Sequence, residues 1–103
     1  MRLDQALLFL RATGSLLVKL PAGKRYRLVF HERTIRTVID ETNPGGPRTL
    51  YPEEARAAIA EIARFAEAAE ALPSPVEVPI RHPDRQILVQ PEVLRGGSRE
   101  VQV

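Results

Sequence analysis

Lys19, Lys24, Arg25, Arg27, Arg33 and Arg36 crowd residues 15–41, opposed there only by Glu32, Asp40 and Glu41, for a local charge of +3. A guanidinium presents a planar fork of donors that meets two phosphate oxygens at once, and an ammonium adds a compact point charge. Such groups on one surface hold a polyanion by its backbone, with an affinity that does not depend on base sequence. The chemistry offered is phosphate recognition, and the expected partner is DNA or RNA. The competing expectation is a protein partner, of the antitoxin, inhibitor, chaperone or dimeric-adaptor kind. It arises because Leu17, Val29 and Val38 are read onto the same surface, where they would serve as an interface and favour a homodimer.

Other residues with chemical potential do not converge. His31 sits beside Glu32 and Arg33, and His82 sits in a proline turn near Asp84. No pair has the His-x3-His spacing that places two ligands on one helix face, so no metal is expected. The chain has no cysteine, which excludes disulfides, thiolate zinc sites, iron–sulfur clusters and a cysteine nucleophile. Ser15, Ser74 and Ser98 stand at breaks in the pattern rather than in a strand–turn–helix elbow. Asp40 and Glu41 end a strand among polar neighbours, without the burial that tunes a carboxylate for acid–base work. Gly45-Gly46 near Arg48 lacks the Lys-Ser/Thr of a phosphate loop. The expectation is a non-enzymatic binding or regulatory protein without a cofactor.

Those residues need a scaffold, and the composition supplies one. The chain has 103 residues, 44% of them hydrophobic and 27% charged, with a formal net charge of +2. That suits one folded domain of modest core. No apolar run reaches the length of a membrane span. The acid at Asp4 and the break at Arg11 are unlike a secretory leader, so the expected location is the cytoplasm.

The pattern along the chain predicts α+β architecture in the order α-βββ-α-ββ. A short helix over 3–12 uses Leu3, Ala6, Leu7 and Leu10, with Thr13-Gly14 as its stop. Period-two alternation over 15–41 predicts a three-stranded antiparallel meander, broken by turns at 21–24 and at Glu32-Arg33. Two prolines and two glycines make 42–48 a loop. Pro52-Glu53-Glu54 opens a long helix, whose apolar stripe runs to Leu72 before Pro73-Ser74-Pro75. Strands over 76–80 and 85–90 complete the order as a C-terminal hairpin. The domain is expected over 1–95, with 96–103 a loosely held tail.

In element order, the strand–strand–strand–helix stretch resembles the arm-binding domains of phage integrases and small antitoxins of a partial ribonuclease-H shape. The full order resembles the start of type III secretion chaperones, which are usually acidic. These resemblances concern topology alone and assign no site residue.

Strict alternation also assigns faces. Tyr26, Leu28, Phe30, Ile35 and Ile39 should form one core with Ile59, Ile62 and Phe65 of the helix. Lys19, Arg25, Arg27 and Arg36 should then share the opposite, open face, with Lys24 and Arg33 at its turns. The helix over 52–72 carries five acids against two arginines, so the molecule should be polarised between a basic sheet and an acidic helix.

Overall fold

The alternating segment is realised as three antiparallel strands, β1 (Thr13–Lys19), β2 (Arg25–His31) and β3 (Thr34–Asp40), in a computed structural model that describes residues 1–9, 13–42, 45–72 and 87–94. The first connection is a 3-10 turn over Pro21–Gly23, in which Ala22 and Gly23 take positive φ. The second is a two-residue turn with Glu32 at φ 50° and Arg33 at φ 64°. Left-handed geometry at both central residues suits the twist of a hairpin, although neither residue is the usual Asn or Gly.

Two more strands widen the sheet. β4 (Arg48–Thr49) pairs with Ile39 and Asp40, so the expected loop returns as a short edge strand. β5 (Ala68–Leu72) pairs antiparallel with β1, giving the order β4-β3-β2-β1-β5. The result is a single α+β domain. Two helices, α1 (Leu3–Phe9) and α2 (Pro52–Phe65), lie on one face of the sheet. Ala6 and Leu7 from α1 and Ala55, Ala58, Ile59 and Ile62 from α2 enter one cluster with Leu16, Val18, Leu28, Phe30, Ile35 and Val38. No helix among the described residues is long and apolar enough to cross a membrane.

The long helix is shorter than its composition suggests. It stops at Phe65, and Ala66 leaves the helical region at φ −58°, ψ 124° while its N–H still reaches the Ile62 carbonyl at 3.0 Å. Glu67 N–H then bonds the Lys19 carbonyl at 2.9 Å, and Ala69 N–H bonds the Met1 carbonyl at 2.8 Å. Ala and Glu favour helix by only tenths of a kcal/mol per residue, so pairing along an otherwise open β1 edge overrides that preference. Phe65 is consequently not a core residue. It is 55% exposed at the end of α2.

A bulge corrects the assigned faces. The register runs Arg27↔Ile39, Leu28↔Val38 and Val29↔Thr37, then shifts to Phe30↔Ile35. Arg36 is the extra residue, and a one-residue slip moves every following side chain to the other face. Val38, expected outside, is fully buried in the core opposite Leu28. Ile39, expected inside, lies on the other face beside Arg27.

The expected C-terminal hairpin falls largely on 73–86, outside the described residues, as do Leu10 and the tail 96–103. Beyond them, Val89 makes an antiparallel bridge with Ile35. Ile87 and Leu94 enter the core, the latter at the end of a turn in which Leu94 N–H bonds the Pro91 carbonyl at 3.0 Å.

The start of α2 has a side-chain lock. Glu54 accepts the Tyr51 N–H at 3.1 Å and pairs with Arg48 at 2.9 Å, tying the helix N-terminus to β4. The Arg48 guanidinium first, and the Tyr51 N–H second, hold the Glu54 carboxyl below its ordinary value. Its folded pKa is lower than its unfolded one, so its contribution is complete above the usual glutamate range and is lost as pH falls through the folded value.

Two outcomes follow for stability. Ile62→Ala should cost about 2–5 kcal/mol in urea unfolding, whereas Phe65→Ala should stay within about 0.5 kcal/mol of the parent. Thermal melts taken from neutral pH into acid should show the parent losing more stability than Glu54→Gln, with the two curves converging at the acid end.

Candidate nucleic-acid interface

The sheet face away from the helices can be read row by row from the register. One row crosses Glu70, Leu17, Arg27, Ile39 and Thr49, and the next crosses Leu72, Ser15, Val29 and Thr37. Leu17 and Val29 lie on this face and are half-buried, and Ile39 takes the place on it that alternation gives to Val38. Ser15, Thr37 and Ile39 are buried at 1%, 5% and 3% exposure, so the middle of this face is not an open plane.

Arg27 occupies that middle, and its charge is already matched. Its Nε and Nη2 donate to the two carboxylate oxygens of Glu41, the latter at 3.3 Å, and its Nη1 lies 3.4 Å from Ser15 Oγ. The Arg27 side chain is only 16% exposed and that of Glu41 only 22%. The bulge sets this pair up. By shifting β3 one residue along β2 it brings Glu41 opposite Arg25, where Glu41 N–H bonds the Arg25 carbonyl at 3.0 Å. A carboxylate two positions beyond Ile39 then shares a face with Arg27. Sequence reading missed this partner because an unbulged register would have placed Asp40, not Glu41, opposite Arg25.

Lys24 is also withdrawn. Its ammonium lies 3.3 Å from both carboxylate oxygens of Glu61 on α2, which raises its pKa. This pair spans 37 positions, and no local pattern announces it. Glu70, read as part of an acidic helix, stands instead in β5 opposite Leu17 on the sheet face. α2 itself carries three acids against Arg56 and Arg64, so the contrast between sheet and helix is weaker than the sequence suggests.

Four of the six basic residues remain, and they divide into two groups. Lys19 and Arg25 face each other at one end of the β1–β2 pair, both exposed. Arg25 is anchored through its backbone, with its N–H to Thr42 Oγ1 at 2.9 Å, while its guanidinium reaches only the Glu41 carbonyl oxygen at 3.5 Å. Arg33 lies in the β2–β3 turn and Arg36 in the bulge next to it, beside His31, which is 3.6 Å from Glu32. Lys19, Arg33 and Arg36 have no acidic partner among the described residues. The length of β2 separates the groups by roughly 20 Å.

Among the described residues no three His, Asp or Glu side chains gather around a common point, and the His82–Asp84 pair lies outside them. The shifted carboxyls, those of Asp4 and Glu54, are exposed ion-pair partners. Comparison with protein-family models, with curated proteins and with solved structures finds no match for this chain.

The Arg27–Glu41 pair gives a direct test of the site's electrostatics. Glu41→Gln leaves a largely buried guanidinium with a weaker acceptor and should destabilise the fold by about 1–3 kcal/mol. Glu70→Gln on the same face should change stability by under about 0.5 kcal/mol. Chemical denaturation of the two variants beside the parent measures both.

Proposed function

We propose that the protein is a small non-enzymatic binding protein that contacts the phosphate backbone of nucleic acid from the two ends of its sheet. The reading rests on one observation: among the described residues Lys19, Arg33 and Arg36 have no acidic partner, the first two exposed and the third half-buried, and the Arg25 guanidinium reaches only a carbonyl. The contact set is therefore Lys19, Arg25, Arg33 and Arg36, with Lys24 and Arg27 serving the fold. A span of roughly 20 Å suits a duplex, which presents about one phosphate charge per 1.7 Å of its axis over such a length. Exposed aromatic side chains are missing from the two groups, so base stacking on a single strand has no platform there.

A second reading, a protein-partner module, is favoured by a different feature. Met1, Leu8, Phe65, Leu88 and Val93 are large apolar residues left exposed.

Fluorescence anisotropy with duplex DNA, single-stranded DNA and RNA over a salt series separates the two. Four phosphate contacts give a log–log salt slope of roughly −3 to −4 on duplex DNA. Arg33→Gln with Arg36→Gln should make the slope shallower by about 2, and Lys24→Gln should leave it unchanged. Absence of binding to all three nucleic acids at low salt and tens of micromolar protein overturns the nucleic-acid reading and leaves the protein-partner reading in its place.

A further inference from the structure

His31 belongs to the sheet face away from the helices, at the end where Arg33 and Arg36 lie. Leu28 and Phe30 enter the core, so alternation along β2 puts His31 on the opposite side, with Arg27 and Val29. Its backbone partners are Thr13 in β1 and Thr34 in β3. The side chain is 45% exposed, and its Nε2 lies 3.6 Å from a carboxylate oxygen of Glu32, itself 83% exposed. Arg33 follows in the turn, and Arg36 stands in the bulge two positions after Thr34.

The register names the charged groups around this imidazole. β1 opposes it with Thr13 and β3 with Thr34, neither of them titratable. Ile87 to Val89, which bridge to β3 at Ile35, carry no ionisable side chain. Among the described residues that leaves Glu32 and Arg33 from the turn and Arg36 from the bulge. With a neutral imidazole, two arginines against one glutamate give the cluster a net charge of +1, and an imidazolium raises it to +2. Histidine is the side chain whose ordinary charge change falls between about pH 5 and 8. Once protonated, both of its ring nitrogens donate, so one can face Glu32 while the other faces a phosphate oxygen. The same proton offsets the Glu32 carboxylate, the group in this cluster that repels a phosphate.

We propose that His31 is a pH-dependent phosphate contact, which makes the Arg33–Arg36 end of the sheet hold nucleic acid more tightly when the imidazole is protonated. The inference rests on the nucleic-acid reading above and names the regulation of that same surface. Its sign follows from linkage. A bound phosphate favours the imidazolium, so binding takes up a proton, and lowering the pH strengthens binding in return. The other end of the sheet, Lys19 and Arg25, has no histidine beside it among the described residues. Its contacts are therefore the same at either pH, and binding weakens at high pH without vanishing.

Anisotropy titrations with duplex DNA at about pH 8 and about pH 6, each over a salt series, test it. The parent should bind about threefold to tenfold more tightly at the lower pH, with a log–log salt slope steeper by about 1. His31→Gln should bind equally at both pH values, with the parent's high-pH affinity. His31→Arg should hold the tighter affinity at both. His82→Gln, which alters the chain's other histidine, should keep the parent's pH dependence. Circular dichroism at both pH values checks that each variant is folded. A parent with the same affinity and slope at both pH values overturns the proposal and leaves the nucleic-acid reading standing. So does a His31→Gln variant that keeps the full pH dependence. Absence of binding at both pH values overturns the nucleic-acid reading and this proposal with it.

Discussion

A single extra residue in β3 decides how this molecule is arranged. The bulge at Arg36 breaks the one-to-one pairing of β2 with β3 and shifts everything from Thr37 onward by one position. Val38 gains the core through that shift, and Ile39 leaves it. The same shift delivers Glu41 to Arg25 and Arg27, and it fixes where β4 begins, since β4 pairs with Ile39 and Asp40. Core composition, the central ion pair of the sheet face and the placement of the α2 N-terminus through Arg48 and Glu54 all inherit their register from one irregularity. Local pairing energy is lost at a bulge. Here that loss is offset by a buried Val38 and by a charge pair that would otherwise leave Arg27 half-buried and alone.

This dependence explains what was legible in the chain. The three meander strands, both turns, the proline-led start of α2 and the α+β class follow from periodicity and turn chemistry, which act over a few residues. Leu28, Phe30, Ile35, Ile59 and Ile62 are core residues for the reason their spacing indicates. The candidate site was legible only as a composition. Six basic residues are in the meander, but which of them remain available depends on Glu41, placed by the bulge, and on Glu61, placed by the docking of α2. Neither placement has a local signature. Arg36 within an alternating run reads as an ordinary strand residue, because a bulge formed by a non-glycine leaves no mark in the pattern.

Residues 66–72 show a different limit. Ala, Glu and Leu in this stretch match both a helical stripe and a short alternating strand, because alanine is small enough to be buried or exposed at little cost. Composition favours the helix. What the sequence does not display is the vacancy beside β1, whose partner on one side is β2 and whose other side needs covering. β5 is held on both sides, paired with β1 along one and giving its Ala69 N–H to the Met1 carbonyl on the other.

The position of β5 also sets an order of assembly. β1, β2 and β3 are joined by short turns and can pair as soon as they exist, at small cost in chain entropy. The β1–β5 ladder joins segments with the rest of the meander, β4 and α2 between them, so it closes late. During synthesis the ribosome releases β1 long before its second neighbour, and the nascent meander carries a bare strand edge for that interval. The core lacks Ile59 and Ile62 over the same interval. A chain truncated before residue 68 would keep that edge permanently, as a template for pairing with other copies. The short alanine-rich strand, modest as a structural element, is the piece that separates an aggregation-prone intermediate from a closed fold.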